Sequence, residues 1–189
     1  MSSDPRSARL QLEHRLATLT LVFPSQRSSQ WELAAFPNMA AIYWNLARTQ
    51  IVPDQDVFAG AVAALLDQGD NEAVIARACR AYPALVRQHH FSLVLKEHFS
   101  LVVRSEELDL HGVDLLIVED GRAYGVALSV QTEAAHEWQR VKDQRHPIPP
   151  GLPVLYLYAG SEGFRIGRFW LHPPEQVAEV KAFIERSRT

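Results

Sequence analysis

The stretch GVDLLIVEDGRAYGVALSVQT, Gly112 to Thr132, decides the fold. Two runs rich in β-branched and aromatic residues, GVDLLIVE and AYGVALSVQ, flank Asp120–Gly121. That dipeptide tolerates the positive φ angles of a two-residue hairpin turn, so the runs read as paired antiparallel strands. With the turn there, residues whose numbers sum to about 241 face each other. Asp114 then falls opposite Ala127, and Ser129 takes the next position on that face. Side chains alternate across a strand, so Gly125, Ala127, Ser129 and Gln131 share one face and Tyr124, Val126, Leu128 and Val130 the other, which reads as core. A carboxylate set among apolar strand residues needs a partner, because an unpaired buried charge is costly.

Upstream, LVVRS (Leu101–Ser105) reads as a short strand. Before it, PALVRQHHFSLVLKEHF starts at Pro83, a residue suited to the first turn of a helix. Phe91, Leu93, Val94, Leu95 and Phe99 make that helix apolar nearly all round, which predicts burial across a sheet face. Downstream, Thr132 caps a polar amphipathic helix over EAAHEWQRVKDQR (Glu133–Arg145). HPIPPGLP is a stiff loop, and VLYLYA is an apolar run typical of a central, parallel strand. FRIGRFWLH reads as an edge-like strand, and Pro173–Pro174 opens a last helix. The expected class is α/β: an αβββαβ core with a mixed sheet, preceded by an all-helical N-terminal region.

That preface occupies residues 1–82, with the core and its C-terminal hairpin and helix at 83–189. Residues 5–20 have helical spacing, with Leu12, Leu16 and Leu19 on one side. Asn38 is a candidate cap for a helix reaching Thr49, and Asp54 for a helix that Gly69 ends. Asn71 to Ala81 forms one more, separate from the helix opened by Pro83.

A hydrophobic fraction of 47% and a charged fraction of 22% belong to a globular chain. A net charge of -3 gives no global pull toward nucleic acid or anionic membrane, though a local patch remains open. Cys79 is the only cysteine, which excludes an intramolecular disulfide and fits a reducing cytoplasm. Asp4 and Glu13 interrupt the N-terminal apolar pattern, so no signal peptide is read there. No apolar run approaches the roughly 20 residues that span a bilayer, so no membrane partner is expected. His89 and His90 are adjacent and diverge by about 100° on a helix, which predicts no shared zinc ion.

An αβββαβ order with an Asp in the second strand after Gly112–Val113, followed by a hairpin, resembles the PD-(D/E)xK (restriction-endonuclease-like) nuclease superfamily over residues 83–160. The resemblance implies that the Asp and a following acid hold Mg²⁺ or Mn²⁺, that the metal activates a water, and that a Lys orients it. By that correspondence Asp114 matches the first Asp, and Glu97 is the candidate for the helical Glu, the two acting as metal ligands. The third strand departs from the pattern. Where acid-x-Lys stands in the family, this chain has Ala127-x-Ser129 or Ser129-x-Gln131. A relocated site uses Asp114, Gln131 and Lys142 as catalytic residues, with the amine supplied by the next helix.

Arg140, Lys142, Arg145 and His146, with Trp138 beside them, form a candidate nucleic-acid grip, since basic groups hold phosphate and aromatics stack on bases. A solvated amphipathic helix with Trp138 buried is the plain alternative. Arg165 and Arg168 extend the strip, while Arg87 and Arg104 find no evident place. Asp114 has a plain alternative too, as an acceptor of backbone N–H groups, and so has Glu97, as a surface acid.

Three functions stay open. The first is a catalytically degenerate nuclease-fold protein, a pseudoenzyme serving as nucleic-acid-binding or assembly subunit of a DNA/RNA-processing or defence complex. It ranks first because the sequence change falls on the chemistry and leaves the frame. The second is an active, divergent Mg²⁺-dependent endonuclease. The third is a protein-interaction scaffold whose N-terminal helices, with Trp31, Phe36, Trp44 and Phe58 exposed, dock a protein partner.

Overall fold

In the computed structural model, Asp120 (φ 50) and Gly121 (φ 75) both occupy the left-handed region, as a tight hairpin turn demands. They join β2 (Leu115–Glu119) to β3 (Arg122–Val130), paired antiparallel from Leu115↔Val126 to Glu119↔Arg122. Every partner sum is that of the sequence-predicted register. β1 (Val102–Val103) pairs antiparallel with β2, and β4 (Val154–Ala159) pairs parallel with β3. The order β1-β2-β3-β4 makes a mixed sheet of four strands among the described residues, which are 4–23, 38–66, 71–130, 147–160 and 164–188.

VLYLYA is therefore parallel, as its apolar run implied, but among the described residues it lies at an edge of this sheet rather than at its centre. Its side chains are mostly half-buried, because a continuous apolar run records contact on both faces and carries no information about lateral neighbours. FRIGRFWLH departs further from expectation. It is a hairpin of β5 (Arg165–Ile166) and β6 (Phe169–Trp170), turned at Gly167 (φ 55). A Cβ at Gly167 would stand 2.7 Å from the carbonyl oxygen of Leu16, so only glycine fits that approach.

The helices are α1 (Pro5–Thr18), α2 (Met39–Ala47), α3 (Gln55–Ala63), α4 (Asn71–Lys96), α5 (Glu106–Leu110) and α6 (Val177–Arg186), the last preceded by a 3₁₀ turn at Pro174–Gln176. Among the described residues no helix is long and apolar enough to cross a membrane. Asn38 caps α2 as expected, accepting from the Ala41 N–H at 3.0 Å. Asp54 stands before α3 but makes no capping bond, because its carboxylate turns to Arg15 at 2.6 Å. α3 ends at Ala63, and Gly69 lies outside the described residues.

The chain divides into two compact units. One comprises Met1–Arg9, Arg87–Arg165 and Trp170–Thr189, and the other Leu10–Val86 with Ile166–Phe169. In the first, Phe91, Val94 and Leu95 of α4 and Val177, Val180 and Ile184 of α6 form one buried cluster with a single face of the sheet. Leu115 and Ile117 on β2, Tyr124 and Val126 on β3, and Leu157 on β4 supply that face. The all-round apolar end of α4 thus lies where its composition placed it.

In the helical unit, Tyr43, Phe58 and Tyr82 meet pairwise with ring centroids 5.9–6.0 Å apart. Phe58 is fully buried there, so it is not an exposed docking residue as the scaffold reading supposed. Trp44 is half-buried, and Trp31 and Phe36 lie outside the described residues.

One departure from the expected helices has a local cause. α4 runs through Pro83 without a break. A proline inside a helix offers no N–H to the carbonyl four residues earlier, here Cys79. Gln55, 5% exposed, fills the gap: its Nε2 donates to the Cys79 carbonyl at 2.9 Å and to that of Val22 at 3.1 Å. Its Oε1 accepts from the Val22 N–H at 2.7 Å. The bond that the proline removes is replaced by a side chain from another helix.

Candidate functional site

Asp114 sits immediately before β2, and its backbone N–H donates to the Val126 carbonyl at 3.0 Å. β3 continues past the end of β2, so Leu128 has no β2 residue opposite it. The Asp114 carboxylate supplies the missing acceptor: Oδ2 takes the Leu128 N–H at 2.5 Å. Oδ1 accepts from Gln88 Nε2 on α4 at 2.6 Å. Asp114 is 6% exposed, which makes these charge-assisted bonds strong and their loss expensive.

A buried carboxylate also needs a counter-charge. Arg87, 8% exposed, is close enough for the carboxylate to favour its charged form. Burial pushes the guanidinium down to about 10, against the opposing pull of Asp114. It remains a cation at neutral pH, and its Nε donates to the Trp170 carbonyl at 2.9 Å. α4 thus supplies both the amide and the positive charge that accommodate Asp114.

The same polar run of α4 continues into His89 and His90, both buried. His172, fully buried, has Nδ1 2.8 Å from Gln176 Oε1. Gln176 Nε2 donates to the Tyr158 carbonyl at 3.1 Å, which fixes the amide and makes His172 Nδ1 the donor. The neutral ring therefore presents a lone pair, not an N–H, at its buried Nε2. Burial pushes His89 and His172 down to about 4. Both are uncharged at neutral pH.

Of the sequence-predicted site, Glu97 lies near the end of α4 and is engaged by Arg9, the two side chains being 18% and 17% exposed. It is neither a free surface acid nor an open ligand. Gln131, Lys142, Arg140, Arg145 and His146 lie outside the described residues, as does Trp138. Arg104, without a place from sequence, bonds Asp109 at 2.8 Å. Glu119 and Asp120 face Arg188 at 3.9 and 2.7 Å. Arg165 places its guanidinium 5.1 Å from the ring centre of Trp170, which is 38% exposed.

A hard divalent cation needs several oxygen ligands with lone pairs turned toward it. Asp114 directs both oxygens at N–H donors, and Glu97 is held by a guanidinium. Among the described residues no three His, Cys, Asp or Glu side chains are grouped to hold a metal ion. The described donor set does not fit Mg²⁺ or Mn²⁺.

Sequence reasoning missed Gln88 and the role of Arg87. A signal was present in Arg87-Gln88-His89-His90, four polar residues in succession inside a helix that is otherwise apolar toward its end. Polar groups there need buried partners, and Asp114 is one.

The chain has no significant match to a protein-family profile, a curated protein or a solved structure.

Proposed function

We propose that this chain is a catalytically degenerate protein of PD-(D/E)xK type, acting as a nucleic-acid-binding or assembly subunit rather than as a nuclease. One observation carries the reading: the acid that would anchor a metal has both oxygens committed to Gln88 and the Leu128 backbone. A carboxylate used in that way is part of the frame. The absence of an acid-x-Lys pair in the run AYGVALSVQ, where the sequence has Ala127, Ser129 and Gln131, points the same way. Support for nucleic-acid contact comes from the basic run Arg140, Lys142, Arg145, His146, and from the Arg165 guanidinium over the exposed Trp170 ring.

Fluorescence anisotropy with labelled single-stranded and duplex DNA and RNA tests it, across a salt series and with EDTA present. Binding that weakens with salt, survives EDTA and is lost in Arg140→Ala/Lys142→Ala/Arg145→Ala supports the reading. Mg²⁺-dependent cutting that disappears in Asp114→Asn would establish the active endonuclease instead. No binding to any of the four substrates would remove the nucleic-acid role.

A further inference from the structure

The helical unit contains a cavity of about 640 Å³ between the end of α1, the start of α3 and the first turns of α4. That volume lies within the range of pockets that enclose small organic ligands. Leu19, Val22, Ile75 and Cys79 give it apolar walls. Val22 is 60% exposed and Ile75 37%, so aliphatic surface is left facing water at its mouth.

Gly60 belongs to the same wall. It stands inside α3 on the cavity wall, and a Cβ built on it would meet nothing within 4 Å. No close packing or positive φ requires a glycine there, while glycine inside a helix costs about 1 kcal/mol relative to alanine. Position 60 is exposed, so the open space beside it is continuous with solvent at the mouth of the cavity.

The charged part of the wall is unbalanced. Asp54 is neutralised by Arg15 at 2.6 Å. Asp56 accepts only its own neighbour's N–H, from Val57 at 2.9 Å, and makes no ion pair among the described residues. Asp56 also acts on the Cys79 thiol, which burial first and then this carboxylate push up. The cavity therefore combines apolar walls with one carboxylate that has no ion-pair partner among the described residues.

We propose that this cavity binds a small amphipathic cation, an apolar ring or chain carrying an ammonium group that pairs with Asp56. The apolar body covers Val22 and Ile75, and the missing side chain at position 60 leaves room for it.

Isothermal titration with naphthylmethylamine, using naphthylmethanol as the uncharged comparison, tests the site on the full chain. Saturable one-to-one binding of the amine is expected, with the alcohol and the Asp56→Asn variant each weaker by about fivefold, the worth of an exposed ion pair. Gly60→Leu fills the space and improves the helix, so it should fold, as circular dichroism would verify, and bind no amine. If Gly60→Leu fails to fold, the Asp56→Asn comparison still decides. Absence of saturable binding to the wild type, undiminished binding in folded Gly60→Leu, or an alcohol as tight as the amine would each overturn the proposal.

Discussion

Replacing Asp114 by Asn keeps the shape of the side chain and removes its charge, and the structure sets the cost. The carboxylate receives two N–H donors, from Gln88 and from Leu128, whereas an amide offers one acceptor and turns an NH₂ toward the second donor. Gln88 is half-buried and can turn its own amide over, so that bond is partly recoverable. What is lost outright is the charge assistance on both bonds and the counter-charge facing Arg87. Together these amount to about 2 kcal/mol, the scale of one hydrogen bond to a charged group. In urea, with a slope of about 2 kcal/mol/M, the midpoint falls by about 1 M. Unfolding followed by tryptophan fluorescence, in EDTA and again in excess Mg²⁺, reads it. The same loss is expected in both buffers. A metal-binding carboxylate behaves oppositely: its removal is neutral or stabilising without metal, and Mg²⁺ stabilises the wild type by mass action. An Asp114→Asn variant as stable as wild type in EDTA, or a Mg²⁺-dependent gain confined to wild type, refutes the structural assignment.

Two further outcomes follow from buried polar groups. Gln55→Leu leaves the Cys79 carbonyl without its substitute donor and should cost about 2–3 kcal/mol; in a Pro83→Ala background the helix supplies its own N–H and the cost should drop by at least about 1 kcal/mol, whereas strict additivity in a urea double-mutant cycle counts against the coupling. His89 and His172, held at about 4 when folded against an unfolded value of about 6.5, contribute nothing to pH dependence above that value, and stability falls as pH drops from about 6.5 to 4 while the unfolded chain alone takes up protons. Each amounts to about 3 kcal/mol over that window, so acid unfolding should set in before pH 4, and His172→Asn should flatten the slope; an unchanged slope would assign the transition to other groups.

Hairpin and register were readable because they depend on residues close in sequence. Asp120–Gly121 sets the turn, and the alternation of Leu115, Ile117, Tyr124 and Val126 fixes which face is buried. The break expected at Pro83 was wrong for the opposite reason. The donor that lets α4 pass through the proline comes from Gln55, on another helix. The carboxylate repeats the pattern: Asp114 stood out as a charge in an apolar strand, yet its partners, Gln88 on α4 and the Leu128 N–H across the hairpin, are set by how elements meet. Even a correct register placed Leu128 beside Asp114 without revealing that the pairing with β2 ends at Val126, two residues before Leu128. The edge position of VLYLYA was unreadable as well, since lateral strand order leaves no trace in a local apolar run.

Pro83 and Gln55 also restrict the order in which this sequence can have changed. A proline arriving at position 83 before a glutamine at 55 would have stranded the Cys79 carbonyl, while the glutamine arriving first would have bonded Val22 alone at little harm. Once both are present, the glutamine cannot leave first without loss, whereas the proline can leave and then release the glutamine. The pair therefore behaves as a one-way gate. Descendants that retain proline at 83 should retain an amide at 55, and those free to vary at 55 should already have lost the proline.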